Sequence, residues 1–211
     1  MCVAIAFDLF GTLVSADRPD DPASAVAAEL RKREVSVPAD WSDAYSEPHI
    51  DAPQGAEVPL PAHVSAALAS RDIVAPNNAA RRAVVAAFDP TVETRPGASV
   101  ALEAAREYGP VGLLSNCSVP ELVGRTLVRA EFAREDFDAI VSSVACGWRK
   151  PDRRAFETVA DQLGVSTEEL MYIGDTPAVD GAIEACGGTY INIQDCPLTE
   201  LPARLEAEVS G

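Results

Sequence analysis

The chain lacks the patterns that mark membrane-spanning and secreted proteins. No apolar run in its 211 residues approaches the ~20 residues that a membrane-spanning helix needs. No basic segment precedes the first apolar stretch, so we expect no secretory signal. The five cysteines include no C-x-x-C pair, and their number is odd; they are Cys2, Cys117, Cys146, Cys186 and Cys196. We therefore expect a cytoplasmic protein with reduced thiols.

Positive charge is also scarce. Acidic residues number 33 against 17 basic ones, which gives a formal net charge of −16 at pH 7. Only two of the basic residues, Lys32 and Lys150, are lysines. Such a surface repels nucleic acid and anionic membranes, so we expect neither as a partner. The composition also fits a halophilic protein, a hypothesis that unchanged stability and activity between low salt and molar KCl would contradict.

Strand and helix patterns alternate in the second half of the chain. Apolar strands are predicted at 111–114, 139–142, 170–173 and 189–193, and helices at 98–108, 119–129, 153–163, 178–186 and 198–209. A further short strand at 3–7 opens the chain. This repeated strand–helix order predicts an α/β fold, with a Rossmann-like parallel sheet covered by helices on both faces.

The segment 15–90 interrupts that alternation. Helices are predicted at 23–34, 62–73 and 77–88, whereas the proline-rich and acidic stretch 38–61 has no clear period. No strand is predicted within the segment, and strands return only after Pro96. We therefore predict a Rossmann-like core formed by 1–14 and 91–211, with 15–90 inserted as a small helical domain.

Polar side chains follow three of the predicted strands. Asp8, Ser115 and Asp175 each stand at or just after a carboxyl-terminal strand end, which is where ligands bind in parallel α/β sheets. Each residue also has a purely structural interpretation, because Asp commonly caps turns and both Asp and Ser commonly cap helices. The residues taken singly leave both interpretations open.

Four stretches together favour the functional interpretation. They are 3–13 around Asp8, Leu-Leu-Ser-Asn at 113–116, Trp-Arg-Lys-Pro-Asp at 148–152, and Tyr-Ile-Gly-Asp-Thr-Pro-Ala-Val-Asp at 172–180. In this order and at these separations they resemble the four motifs of the haloacid dehalogenase superfamily, in which most members are Mg²⁺-dependent phosphatases. The resemblance implies that 15–90 is a helical cap of the subfamily I type, which covers the catalytic face and selects the substrate.

The resemblance also implies catalytic roles. Asp8 would be the nucleophile that attacks phosphorus and forms an aspartyl-phosphate. Ser115 would bind a phosphoryl oxygen, and Lys150 would neutralise the phosphoryl group and the intermediate. Thr12 and Asn116 would help to hold the phosphate. The substrate would be a small phosphorylated molecule.

A magnesium site follows from the same comparison. The implied ligands are a side-chain oxygen of Asp8, the backbone carbonyl of Phe10, and Asp175, with Asp180 acting through a metal-bound water or pairing with Lys150. Oxygen ligands of this kind suit Mg²⁺.

Phe10 departs from the pattern of the phosphatases. They usually have a second Asp two residues after the nucleophile, as general acid and base, and phenylalanine can do neither. The sequence thus predicts a Mg²⁺-dependent phosphatase that lacks this group. Two alternatives remain: a hydrolase that resembles 2-haloacid dehalogenases, and a catalytically weak member that binds a phosphorylated ligand.

Overall fold

A computed structural model describes residues 3–210 of the chain. The prediction of a reduced thiol at Cys2 lies outside these residues. The other four cysteines are free thiols, as expected.

Five parallel strands form the central sheet. In chain order the strands of the described residues are β1 (Ala4–Phe7), β2 (Val14–Ala16), β3 (Val92–Thr94), β4 (Val111–Ser115), β5 (Ala139–Ser142), β6 (Leu170–Gly174) and β7 (Thr189–Asn192). The parallel sheet has the order β5-β4-β1-β6-β7. The predicted α/β class and parallel sheet are therefore confirmed.

Helices cover this sheet and fill the segment between β2 and β3. They are α1 (Pro22–Arg31), α2 (Trp41–Ser46), α3 (Leu60–Ala69), α4 (Ala79–Ala87), α5 (Ala98–Arg106), α6 (Leu122–Arg129), α7 (Ser143–Cys146), α8 (Arg153–Leu163), α9 (Pro177–Asp180) and α10 (Leu201–Ser210). The helix predicted at 178–186 is shorter than expected, because α9 gives way to a 3₁₀ helix at Gly181–Cys186. Among the described residues, no helix has the length and apolar character that crossing a bilayer requires.

The prediction of no strand between 15 and 96 is wrong. β2 and β3 pair antiparallel, with Val14 opposite Thr94 and Ala16 opposite Val92. Each strand has only three residues, so neither shows an alternating pattern in the sequence. The two-stranded ribbon joins the segment between them to the sheet that contains β1.

The aperiodic stretch 38–61 contains a helix that the sequence did not predict. α2 has six residues, too few to establish a helical period. Its buried Trp41 donates a hydrogen bond from Nε1 to the carbonyl of Ala23, at 2.8 Å. A tertiary contact with the start of α1 therefore accompanies this short helix.

The central strand β1 is buried on both faces of the sheet. Ile5 and Phe7 belong to one cluster of buried side chains, which extends to helices α1 to α4. Ala4 and Ala6 face a second cluster. Phe7 is in register with residues of both β4 and β6, so the carboxyl ends of these three strands lie along one edge.

Candidate active site

The strand ends bring the first two predicted acids to the same edge of the sheet. Asp8 follows β1, and its backbone N–H continues the ladder by donating to the carbonyl of Ile173 at 2.9 Å. Asp175 follows β6 directly. Asp8 is buried, with 8% of its surface exposed, whereas Asp175 is partly exposed. The carboxylate of Asp8 is thus more enclosed by protein than that of Asp175.

Two glycines permit this close arrangement. Gly11 has φ = +92°, and a side chain there would collide with the carboxylate of Asp175. A side chain at Gly174 would collide with the carboxylate of Asp180. The carboxylates of Asp175 and Asp180 therefore lie against the backbone of Gly11 and Gly174, in space that any other side chain at these positions would fill.

Lys150 lies at the centre of the site. Its side chain is 1% exposed, and Nζ lies 3.0 Å from Oδ1 of Asp8 and 2.7 Å from Oδ1 of Asp180. Nζ also lies 2.6 Å from the hydroxyl of Tyr172. The ammonium has three N–H donors, so these partners account for all of them. The lysine is held in one position and compensates part of the negative charge.

Sequence reasoning missed Tyr172. Its hydroxyl lies 2.6 Å from the carbonyl oxygen of Leu114 and can only donate to it. The hydroxyl oxygen of Tyr172 therefore accepts the hydrogen bond from Nζ of Lys150. Burial raises the pKa of the Tyr172 hydroxyl well above its usual value, so the group stays protonated. A tyrosine within a strand predicted to be buried was the available signal, because a buried hydroxyl needs a partner.

Asn116 fixes the backbone of Lys150. Its Nδ2 donates to the Lys150 carbonyl, and its Oδ1 accepts from the Lys150 N–H, each at 2.8 Å. The Lys150–Pro151 peptide bond is cis. Asn116 therefore joins the end of β4 to the segment that carries the lysine. Its predicted contact with phosphate stays a prediction.

Three carboxylates form an oxygen-rich cluster. Asp8, Asp175 and Asp180 each present an oxygen within 4.8 Å of those of the other two. Burial raises the pKa of Asp8, Lys150 counteracts this rise, and the charge of Asp180 adds to it. Three acids against one ammonium leave an excess of negative charge. An all-oxygen donor set with that excess fits a divalent cation such as Mg²⁺.

Of the remaining predicted residues, Ser115 and Phe10 line the cavity beside these carboxylates, and Thr12 contacts Asp175. Ser115 is 1% exposed, and its hydroxyl has no hydrogen-bond partner among the described residues. Thr12 is fully buried and donates to Oδ1 of Asp175, at the long distance of 3.5 Å. The ring of Phe10 lines the cavity, with the guanidinium of Arg18 5.8 Å from its centre. Ser115 is one of the residues that line the same cavity, and a buried hydroxyl without a partner is a group that a ligand oxygen could satisfy.

The site thus combines a buried carboxylate, a buried ammonium and an unsatisfied hydroxyl around a cavity of about 200 Å³. A carboxylate can act as a nucleophile, the ammonium can neutralise an anion, and the hydroxyl can donate to one. The arrangement is suited to attack on a small anionic group.

Comparison with known proteins identifies a family of hydrolases. The haloacid dehalogenase-like hydrolase family matches residues 2–187 of the chain. A curated relative, Phosphatase MT3486 of Mycobacterium tuberculosis, is 36% identical over 102 residues, which is 47% of this chain and 46% of the relative. The match therefore spans about half the length of that protein.

Solved structures share the fold at low sequence identity. A 2-haloacid dehalogenase from Pseudomonas syringae pv. tomato superposes with a TM-score of 0.70 at 17% identity, over 99% of this chain and 100% of that one. A HAD family enzyme from Bacteroides thetaiotaomicron, in complex with magnesium and inorganic phosphate, gives a TM-score of 0.61 at 18% identity, over 91% of this chain and 94% of that one.

Proposed function

Since this chain belongs to the haloacid dehalogenase-like hydrolase family, we propose that it is a Mg²⁺-dependent phosphatase acting on a small phosphorylated molecule. One observation carries the proposal. The buried Asp8 and Asp180 share the ammonium of Lys150, and Asp175 completes a cluster of oxygens suited to a divalent cation. The partial match to a phosphatase and the fold shared with a magnesium- and phosphate-bound enzyme support this choice.

Four groups of this chain would hold the ion. They are a side-chain oxygen of Asp8, the backbone carbonyl of Phe10, the carboxylate of Asp175, and Asp180 through a water. Bound there, Mg²⁺ would supply positive charge beside the nucleophile and the phosphoryl group.

The proposed reaction proceeds through Asp8. One carboxylate oxygen attacks phosphorus, the bond to the leaving group breaks, and an aspartyl-phosphate forms. A water molecule then attacks this phosphate, which releases inorganic phosphate and regenerates the carboxylate. Lys150 stabilises the negative charge of both steps, and the hydroxyl of Ser115 donates to a phosphoryl oxygen.

Phe10 restricts the range of good substrates. General acid–base help is worth about 10² to 10⁴ in rate, or roughly 3–5 kcal/mol of barrier. Residue 10 supplies no such help, so the leaving group must be stable as an anion. We therefore expect acyl phosphates and aryl phosphates to react much faster than simple alkyl phosphates.

Residues 15–90 are proposed to act as the cap of this site. Arg18, Glu57 and Phe88 from this segment line the cavity that adjoins the catalytic one. The segment is also anchored beside Lys150, because the N–H of Glu57 donates to the carbonyl of Gly147 at 2.8 Å. These contacts support a role in substrate selection.

The test is phosphate release from acetyl phosphate and p-nitrophenyl phosphate, with Mg²⁺ or with EDTA. We expect activity with Mg²⁺ only, and its loss in Asp8→Asn with the fold retained, since the two side chains are nearly isosteric. Asp161→Asn, an exposed acid of α8, is the matched control and should leave turnover unchanged. Retention of more than a tenth of the turnover in Asp8→Asn would contradict the covalent mechanism. Chloride release from 2-chloropropionate without Mg²⁺ would favour the dehalogenase alternative.

A further inference from the structure

We propose that the substrate carries a second anionic group on its leaving group, and that Arg18 and Arg149 bind it. The inference rests on the proposed phosphatase function and deepens it by naming the substrate class. The second group is a carboxylate or a phosphate, since both present two acceptor oxygens to a guanidinium. The geometry of two adjoining cavities carries the argument.

The catalytic cavity adjoins a second one, which also has a volume of about 200 Å³. Four residues line both, namely Phe10, Arg18, Asn116 and Arg149. Asp8, Ser115 and Lys150, to which the phosphoryl transfer is assigned, line the catalytic cavity and are absent from the wall of the second. Arg18 and Arg149 therefore lie at the boundary between the catalytic cavity and the second cavity, which has room for a leaving group.

Neither guanidinium has an acidic partner within residues 3–210. No carboxylate oxygen of these residues lies within 4.0 Å of the side chain of Arg18 or Arg149, whereas eight other arginines do make such pairs. Five other arginines of the described residues also make no such pair, namely Arg31, Arg82, Arg95, Arg106 and Arg134, but none of them lines either cavity. Two unpaired guanidiniums on one cavity form a site for an anionic ligand.

The second cavity limits where that anion can lie. Asp17 and Glu57 also line it, and an anion placed beside them would be repelled. Glu57 already accepts a hydrogen bond from the Ser143 hydroxyl, at 2.6 Å. The second anion therefore lies at the junction with the arginines. The carbon skeleton between the two anions would contact Phe10, the apolar side chain that lines both cavities.

The test measures binding without requiring turnover. Three non-hydrolysable phenylphosphonates, with a carboxylate, a second phosphonate or a neutral carboxamide at the para position, are titrated by calorimetry in the presence of Mg²⁺. We expect the wild type to bind one or both of the doubly anionic probes about 10-fold more tightly than the carboxamide. Which of the two binds better identifies the second anion.

Three variants assign that preference to residues. Arg18→Gln and Arg149→Gln should each reduce the preference by about 3- to 5-fold, the range of a partly exposed charge pair, and the double variant should abolish it. Arg82→Gln is the matched control, because Arg82 is exposed on α4 and lines neither cavity. If the substitutions weaken all three probes equally, the arginines bind the phosphoryl end and the proposal is wrong. It is equally wrong if no probe binds, or if the wild type shows no preference.

Turnover separates this inference from the proposed function. The matching phosphate esters, with phenolic leaving groups of similar acidity, are assayed for phosphate release. A charge preference in binding without phosphate release would support the anion site and refute the phosphatase. Equal kcat/KM for charged and neutral esters would support the phosphatase and refute the anion site.

Discussion

Replacing Tyr172 by phenylalanine removes a single oxygen atom from beneath the proposed catalytic lysine. That oxygen accepts a hydrogen bond from Lys150 and donates one to the carbonyl of Leu114, each at 2.6 Å. The aromatic ring would remain, packed edge-to-face against Phe156 with 5.3 Å between the two ring centres. The substitution therefore tests the two hydrogen bonds with little change in apolar packing.

The expected loss of stability follows from these two contacts. A hydrogen bond to a charged group contributes about 1.5–3 kcal/mol and a neutral one about 0.5–1.5 kcal/mol. Tyr172 is fully buried, so no water replaces the lost partner. We expect the free energy of unfolding to fall by about 2–4 kcal/mol, which is a decrease of roughly 4–16 °C in melting temperature for a chain of this size.

Turnover should fall as well, by about 10-fold, because imprecise positioning of a catalytic group is costly even when the group is retained. Asp8 and Asp180 still hold the ammonium, so activity is reduced and not abolished. The measurements are thermal unfolding and steady-state phosphate release.

Tyr190→Phe is the matched control. Tyr190 is opposite Tyr172 in the register of β6 and β7, and its hydroxyl donates only to the Gly174 carbonyl, at 3.2 Å. We expect it to cost about 0.5–1.5 kcal/mol of stability and to leave turnover within twofold. Equal effects of the two substitutions on turnover would refute the positioning role of Tyr172.

Three further predictions follow from the same geometry. Phe10→Asp should raise turnover of alkyl phosphates by about 10-fold, short of the full 10² to 10⁴ because the groups around residue 10 are arranged for a phenyl ring and not for a catalytic acid; similar wild-type rates on alkyl and aryl phosphates would contradict this. Asp175→Asn should weaken Mg²⁺ binding, so added Mg²⁺ should partly restore activity, whereas insensitivity of the wild type to EDTA would exclude the metal site. Hydrogen bonds from Arg154 lower the pKa of Asp152 from 3.8 to about 2. The stabilisation from ionised Asp152 is thus present above about pH 4 and is lost as the pH falls towards 2. In Asp152→Asn the melting temperature should therefore depend less steeply on pH between 4 and 2 than in the wild type.

The sequence by itself determined the class of fold and the placement of the main acids. Strand patterns at 111–114, 139–142 and 170–173 were enough, because an alternating order of strands and helices allows few parallel topologies. Asp8 and Asp175 follow strands of that sheet, and parallel strands end at one edge. Their proximity therefore required no knowledge of side-chain contacts.

Only the tertiary structure decided the contacts between segments that no sequence pattern links. β2 and β3 are three residues each, and their paired residues Ser15 and Glu93 are 78 positions apart, so no local pattern marks the ribbon. The contact of Tyr172 with Lys150 likewise depends on the strand order of the sheet and on the path of the chain after α7.

The same limit applies to the two arginines at the junction of the cavities. Arg18 and Arg149 are separated by most of the chain, and although Arg149 precedes the lysine of the stretch 148–152, no pattern in the sequence links it to Arg18. Periodicity reports whether a side chain is buried, but the identity of its partner depends on contacts between distant segments. For that reason the sequence indicated the chemistry of the site, whereas only the fold showed how its lysine is held and where a second anion would bind.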